Sequence, residues 1–167
     1  TDEVAITKQK DIVANGMYIL YQQYGSNDGY VYANGTENLK RSDSYKDGEG
    51  KIDPNYVWRF EYVADGKYAL ASMGSSGYYI KSAGISTPSQ IPLTNDKAML
   101  NHYLTVGKWD NKLTFETASA SSWTGAAYYL YNYGDNEVWA YSSYSTYILY
   151  KVTYQDGSSS TVKAEST

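Results

Sequence analysis

Three of the four tryptophans stand where the chain offers an indole little cover. Trp109 lies in the turn-like run Gly107-Lys108-Trp109-Asp110-Asn111, Trp123 lies among Ser and Thr, and Trp139 follows Asp135, Asn136 and Glu137. An indole in a polar turn gains little from burial unless something comes to lie on it. A sugar ring does that: it presents a flat apolar C–H face beside hydroxyls, and a site for it pairs an aromatic platform with Asp, Asn or Gln. The last third of the chain concentrates this pairing in Trp123, Tyr131, Tyr133, Asp135, Asn136 and Trp139, with Tyr141 beside them. Tyr24, Asn27, Asp28 and Tyr30 make a second platform of the same type. The plainer use of such rings is to plug the ends of a barrel or to pack between hairpins. Trp58 has that plainer role, since it lies on the apolar face of an alternating strand.

Other chemistry finds less support. The single His, His102, has no marked nucleophile and no orienting carboxylate in sequence, and there is no Gly-x-Ser-x-Gly elbow. It reads as a surface or barrel-end residue. Asp and Glu fall mostly in turns, where they accept local backbone hydrogen bonds. No catalytic activity and no cofactor are expected. Asp43, Asp47, Glu49 and Asp53 crowd one loop, but counting from Asp43 the twelfth position is Pro54, where a calcium loop needs a bidentate Glu. That loop reads as solvated. There is no Cys, so disulfides and thiolate chemistry are out. With a net charge of -4 and scattered Lys and Arg, no nucleic-acid footprint exists. No apolar run approaches the roughly 20 residues of a membrane helix, so no membrane insertion is expected.

The elements that must carry these rings are strands. The chain holds 21 Tyr and 4 Trp against 2 Phe, a make-up suited to half-buried pleated surfaces. A turn dipeptide feeding an alternating strand recurs at Asn15-Gly16, Asp65-Gly66 and Asp110-Asn111, and Asp156-Gly157 follows at the same interval. These marks divide residues 12–156 into three units, about 16–64, 65–109 and 110–155, after a lead-in at 1–11. The sequence predicts about four short strands per unit and about twelve in all. In the first unit strands fall at 17–22 and 30–33, the Asn34-Gly35 turn follows, and residues 36–55 form a polar loop. Tyr56, Trp58, Phe60 and Tyr62 then share one face of the closing strand. Trp58, Tyr103 and Leu149 each precede the next mark by seven residues, which sets them level with one another. Ala98-Met99-Leu100 is the one run suited to a helical turn. Residues 157–167, rich in Ser and Thr, read as a flexible tail or linker. The opening at Thr1 fits a mature product or an excised domain.

Self-similarity at a period of about 45–50 residues marks a repeated architecture. With its tight turn, first strand, Tyr-rich second strand and late aromatic-centred strand in each unit, the chain resembles the β-trefoil superfamily, in its ricin-B-like form, over Ile12–Tyr154. The resemblance implies an all-β fold: a six-stranded barrel capped by three hairpins with pseudo-threefold symmetry. It sets Trp58, Tyr103 and Leu149 in the place of the Gln-x-Trp tryptophan, although Tyr56, Asn101 and Tyr147 stand where the Gln would be. The sugar-holding Asp of that family maps to Ala33, Lys81 and Tyr131, none of them acidic, so no galactose site carries over. The reading that combines repeat and platform is a non-catalytic carbohydrate-binding module of a larger exported protein, secreted or at a bacterial cell surface, with a polysaccharide or glycan as partner. The alternative is a protein-binding trefoil, such as a protease inhibitor or adhesion module, that projects the 36–55 or 87–95 loop.

Overall fold

The computed structural model describes residues 6–155 and 158–163. Among these the chain is all-β, with fourteen strands in one large antiparallel sheet and three 3-10 turns, each three residues long. No helix among the described residues is long and apolar enough to cross a membrane. The strands are β1 (Met17–Gln22), β2 (Gly29–Asn34), β3 (Asn38–Ser42), β4 (Val57–Ala64), β5 (Lys67–Ser72), β6 (Tyr79–Ile80), β7 (Ser89–Gln90) and β8 (Leu93–Thr94). They continue with β9 (Tyr103–Trp109), β10 (Lys112–Ala120), β11 (Ala127–Tyr133), β12 (Glu137–Tyr141), β13 (Tyr147–Gln155) and β14 (Ser158–Lys163).

Six of them pair in a ring. β1 pairs β4, β4 pairs β5, β5 pairs β9, β9 pairs β10, β10 pairs β13, and β13 returns to β1. Each unit's first strand therefore pairs its own last strand and the last strand of the unit before. A hairpin hangs from each first strand: β2–β3 from β1, β6–β8 from β5 and β11–β12 from β10. A ring leaves its strands no free edge and turns alternate residues inward.

The inward residues stack in matching sets. Trp58, Leu104 and Tyr147 stand opposite Tyr18, Tyr68 and Leu113 in the three units. Phe60, Val106 and Leu149 stand opposite Leu70, Phe115 and Leu20 across the joints between units. All twelve belong to one buried cluster. The rings of Tyr18 and Phe60 meet edge to face at 5.1 Å, as do those of Phe115 and Tyr147.

This register corrects the sequence count. The true counterpart of Trp58 is Leu104, not Tyr103, because the β4–β5 hairpin holds a register shift between Tyr62 and Ala64 that the β9–β10 hairpin lacks. Tyr103 is only half-buried, and the Lys67 ammonium lies 5.0 Å from its ring. Tyr62 stands opposite the inward Tyr68, ahead of the shift, but near the end of β4 it is half exposed and its hydroxyl donates to Asp65 Oδ1 at 2.8 Å. In the third unit the counterpart is Tyr147, which stands opposite Leu113 of β10 as Trp58 stands opposite Tyr18 of β1. Asp156 and Gly157 lie outside the described residues.

Two segments differ from their composition. The polar stretch after Asn34-Gly35 contains β3, whose inward residues are Leu39 and Arg41; a charge at an inward position hid the alternation. Residues 158–163 of the expected tail form β14, paired antiparallel with β13, since β13 runs on past β1 and offers its backbone groups to a further strand. The helical turn expected near Ala98 is a 3-10 turn at Met99–Asn101.

Candidate functional site

The outward face of β9 and β10 forms the floor of an open cavity of about 240 Å³. Thr105 and Gly107 come from β9, and Glu116 and Thr114 lie opposite them on β10. Tyr129 adjoins them from β11, opposite Glu116. Trp109 and Tyr144 form the walls, and Lys108 stands at the rim. Gly107 keeps the floor open, because a Cβ there would come within 2.7 Å of Thr114 Oγ1.

Trp109 is presented by a tight turn. Asp110 and Asn111 both take positive φ, 50° and 59°, the geometry of a type I′ hairpin turn. That turn matches strand twist and leaves the indole 46% exposed at the end of β9. Its ring lies 5.8 Å from Tyr144 and 6.0 Å from Tyr24, and Tyr144 in turn lies 5.9 Å from Tyr129. These four rings come from four separate segments. Burial, followed by the hydrogen bond and charge of Glu116, pushes the Tyr129 hydroxyl pKa up, so the hydroxyl stays protonated and donates to the carboxylate.

A buried Asn holds the segments together. Asn132 lies on the inward face of β11, after Tyr128 and Leu130. Its amide Nδ2 donates to Tyr24 O at 2.8 Å and Asn27 O at 3.2 Å. Its backbone N donates to Ser145 Oγ at 2.8 Å, and that hydroxyl donates back to Asn132 Oδ1. One side chain thus fixes the β1–β2 loop that carries Tyr24 and the β12–β13 connection that carries Tyr144. Asp28 tightens the same loop by accepting from Tyr24 N at 2.9 Å. Neither Asn132 nor Tyr144 was singled out from sequence. The available signal was a lone amide at an inward position of an alternating strand, which requires buried partners.

Of the residues the sequence proposed, the structure brings some together and separates others. Tyr133 and Trp139 stack at 4.0 Å with their planes 13° apart. Tyr131 stacks on Tyr141 at 4.9 Å and stands opposite Trp139. These rings lie on the outward face of the β11–β12 hairpin; the inward positions are Leu130, Val138 and Ala140. Asp135 and Asn136 occupy the hairpin turn at φ 60° and 59°, and Trp139 Nε1 donates to Glu137 Oε1 at 3.0 Å rather than to either of them.

The turn is anchored from the first unit by the buried Arg41. Its backbone N donates to Asn136 O at 2.8 Å, one guanidinium nitrogen to Tyr133 O at 2.5 Å, and the other to Glu137 O. Burial pushes the Arg41 pKa down, and the two carbonyls that the guanidinium reaches offset that cost only in part, because Nε has no partner among the described residues.

Trp123 does not join them. It is 95% exposed at the β10–β11 turn, with Ser121 Oγ accepting its backbone N–H at 3.2 Å. The Asp135-Asn136 turn lies at the other end of β11, about 20 Å away at 3.3 Å per strand residue. Among the described residues its indole meets no other ring. The sequence reading placed residues of both turns in one candidate site because only seven residues of strand separate them.

No protein-family model matches the chain, and no curated protein matches it.

The remaining candidates take structural roles. His102 is buried: Ser82 N and Ala83 N donate to its Nδ1 at 3.1 and 3.2 Å, and Nε2 lies 3.3 Å from Asp96 Oδ2. Two donors at Nδ1 place the proton on Nε2, so the ring is a neutral brace with both nitrogens used. Asp47 Oδ1 accepts from Glu49 N and Lys51 N, and Asp53 Oδ1 accepts from Asn55 N. Their loop covers the outer face of the ring through Ile52, against Ile19 and Val57. The loops offered for a protease are pinned: Lys46 bridges Ile52, Asn38 bridges Pro92, and Ile91 and Leu93 are buried.

Proposed function

We propose that the chain is a β-trefoil carbohydrate-binding module that holds a glycan in the cavity walled by Trp109 and Tyr144. The ring of six pairings with a hairpin on each unit supports the trefoil reading. The observation that carries the binding reading is the open cavity itself. It combines the exposed Trp109 ring and the half-buried Tyr144 ring with Glu116, Thr105, Lys108 and the Tyr129 hydroxyl, which is the mixture of apolar platform and hydrogen-bonding rim that a sugar requires. The module is non-catalytic. Hydrolysis of a glycosidic bond needs a pair of carboxylates a few ångströms apart, and Glu116 is the only carboxylate lining this cavity. As a module without cysteine, it serves a larger exported or cell-surface protein of bacterial type, bringing that protein to a polysaccharide.

The test is native electrophoresis through gels containing each of a panel of soluble polysaccharides. Wild-type protein should be retarded by at least one of them, and Trp109→Ala should run as in the empty gel. If no gel retards the wild type, or if retardation survives in Trp109→Ala, the reading fails. The protein-binding alternative has no such observation in its favour, since both loops it needs are tied into the fold.

A further inference from the structure

The glycan site extends beyond the cavity. From the geometry we infer that its ligand is an extended, neutral, linear polysaccharide that lies along β11 and β12, rather than a terminal sugar. This inference rests on the glycan reading of the cavity and adds the ligand's shape and charge.

The first observation is alignment. Tyr129, at the cavity wall, is the first of three outward residues on β11, followed by Tyr131 and Tyr133. Across the hairpin Tyr141 stands opposite Tyr129, and Trp139 opposite Tyr131. Directly opposed residues share a face of the sheet. The rings then join by contact: Tyr141 with Tyr131 at 4.9 Å, and Trp139 with Tyr133 at 4.0 Å. Three groups of rings therefore follow one another along one face: Trp109 with Tyr144 and Tyr129, then Tyr131 with Tyr141, then Tyr133 with Trp139. Each ring of this band is half-buried or exposed. The β11 part alone, from Tyr129 to Tyr133, spans about 13 Å at 3.3 Å per residue. A single sugar would occupy only the cavity and leave the rest of the band bare to water, which is costly for an apolar surface that nothing covers.

The second observation is rigidity. The band is fastened by buried polar groups whose partners are main-chain carbonyls. Asn132, beside Tyr133, ties β11 to the β1–β2 loop and, through Ser145, to the connection that carries Tyr144, and Arg41 ties the hairpin turn at Tyr133, Asn136 and Glu137. A fixed flat strip suits a stiff ligand, because little order has to be created on binding.

The third observation is charge. Lys108 and Glu116 stand at the cavity end. At the far end Lys40 of β3 stands opposite Glu137 of β12, with Asp135 in the turn. The signs alternate along the band, so no polyanion or polycation finds a run of complementary charge. A neutral chain meets no such conflict. Its hydroxyls can use the scattered charged groups as hydrogen-bond partners while its ring faces lie on the aromatics.

The experiment is isothermal titration with a ladder of neutral oligosaccharides of two to eight units, taken from the polysaccharide that retards the protein. Wild-type affinity should rise at least about tenfold between three and six units. Trp139→Ala should leave the affinity for three units unchanged and remove the gain at six, whereas Trp109→Ala should remove both. Trp139 is half-buried on the outward face, and circular dichroism and the thermal midpoint will show whether the variant folds. Tyr133→Ala is the second variant, and it should shorten the same gain. Affinity that stays flat with length, while still depending on Trp109, would overturn the extended site and leave the cavity reading standing. Tighter binding to heparin than to any neutral chain would overturn the neutral ligand. Absence of binding to every ladder and polysaccharide would overturn the cavity reading and this inference together.

Discussion

The first and third units carry the same tyrosine on the same scaffold and put it to different use. Tyr30 of β2 stands opposite Tyr21, and Tyr129 of β11 stands opposite Glu116, at the matching position. What differs is the connection that follows each hairpin. In the first unit residues 43–56 intervene before β4, and they fold back over the rings. Tyr45 meets Tyr30 edge to face at 5.0 Å, and Tyr56 lies 4.9 Å from Tyr32 with its hydroxyl 2.7 Å from Ser42 Oγ. In the third unit only residues 142–146 intervene, and they contribute one ring, Tyr144, to the side of Tyr129 rather than over it. The repeat supplies a tyrosine at each site. The length of one connection decides whether it is covered or left open.

Four tests would break or sharpen this comparison. The largest effect belongs to what the units share. Trp58 and Tyr147 occupy the same inward position, so Trp58→Ala and Tyr147→Ala should each cost about 3–5 kcal/mol in urea unfolding. A cost under about 1 kcal/mol for either would show that the units are not equivalent there. Next comes Asn132→Ala, which strands the carbonyls of Tyr24 and Asn27 and should cost about 1–3 kcal/mol. It should also weaken glycan binding, although the side chain faces away from the cavity. Unchanged affinity would mean that the loop keeps its place without the amide.

The third test separates cover from site. Tyr45→Ala should destabilise by about 1 kcal/mol and leave glycan binding untouched, whereas Tyr144→Ala should do the reverse, with stability changed by under about 0.5 kcal/mol. Equal stability losses would contradict the distinction. Gly107→Val belongs with it: the new side chain should fill the cavity floor and abolish retardation in polysaccharide gels, and because its Cβ meets Thr114 Oγ1 it should also lower the unfolding midpoint.

The smallest effect is electrostatic. The backbone N–H of Ala98, followed by the His102 ring, holds the Asp96 carboxyl below the usual carboxylate range. The unfolded chain therefore takes up that proton at higher pH than the native protein does. The stabilisation is fully present above the unfolded carboxylate range and is lost as pH falls through the lower native value. Asp96→Asn should lower stability slightly near neutrality, where the stabilisation is present, and leave it unchanged at low pH, so that the acid limb of a stability-against-pH curve flattens. An identical acid limb would remove Asp96 from the account.

Much of this layout was legible in sequence. Asn15-Gly16, Asp65-Gly66 and Asp110-Asn111 each precede a strand of the ring, because such dipeptides tolerate the backbone that tight turns need. Trp58 was readable as core from simple alternation. What failed did so for local reasons. A register shift in the β4–β5 hairpin cannot be seen by counting residues, and it moved Tyr103 off the core position by one. Arg41 disguised β3, since a buried arginine breaks the pattern that defines a strand. The candidate site was half legible. The rings of β11 and β12 are neighbours in sequence and were found, but the cavity joins Tyr24, Trp109, Tyr129 and Tyr144, which only the ring of strands brings together. Tyr144 gave no signal, standing alone among Ser and Thr.

The central claim is that an open aromatic cavity between the second and third units, and not the exposed indole at the β10–β11 turn, holds the glycan. The most direct measurement is titration of the retarding polysaccharide into wild type, Trp109→Ala and Trp123→Ala, with the unfolding midpoint of each recorded alongside. The account predicts saturable binding by wild type and Trp123→Ala, none by Trp109→Ala, and closely similar midpoints for all three. Binding that persists in Trp109→Ala, or that disappears in Trp123→Ala, would contradict it.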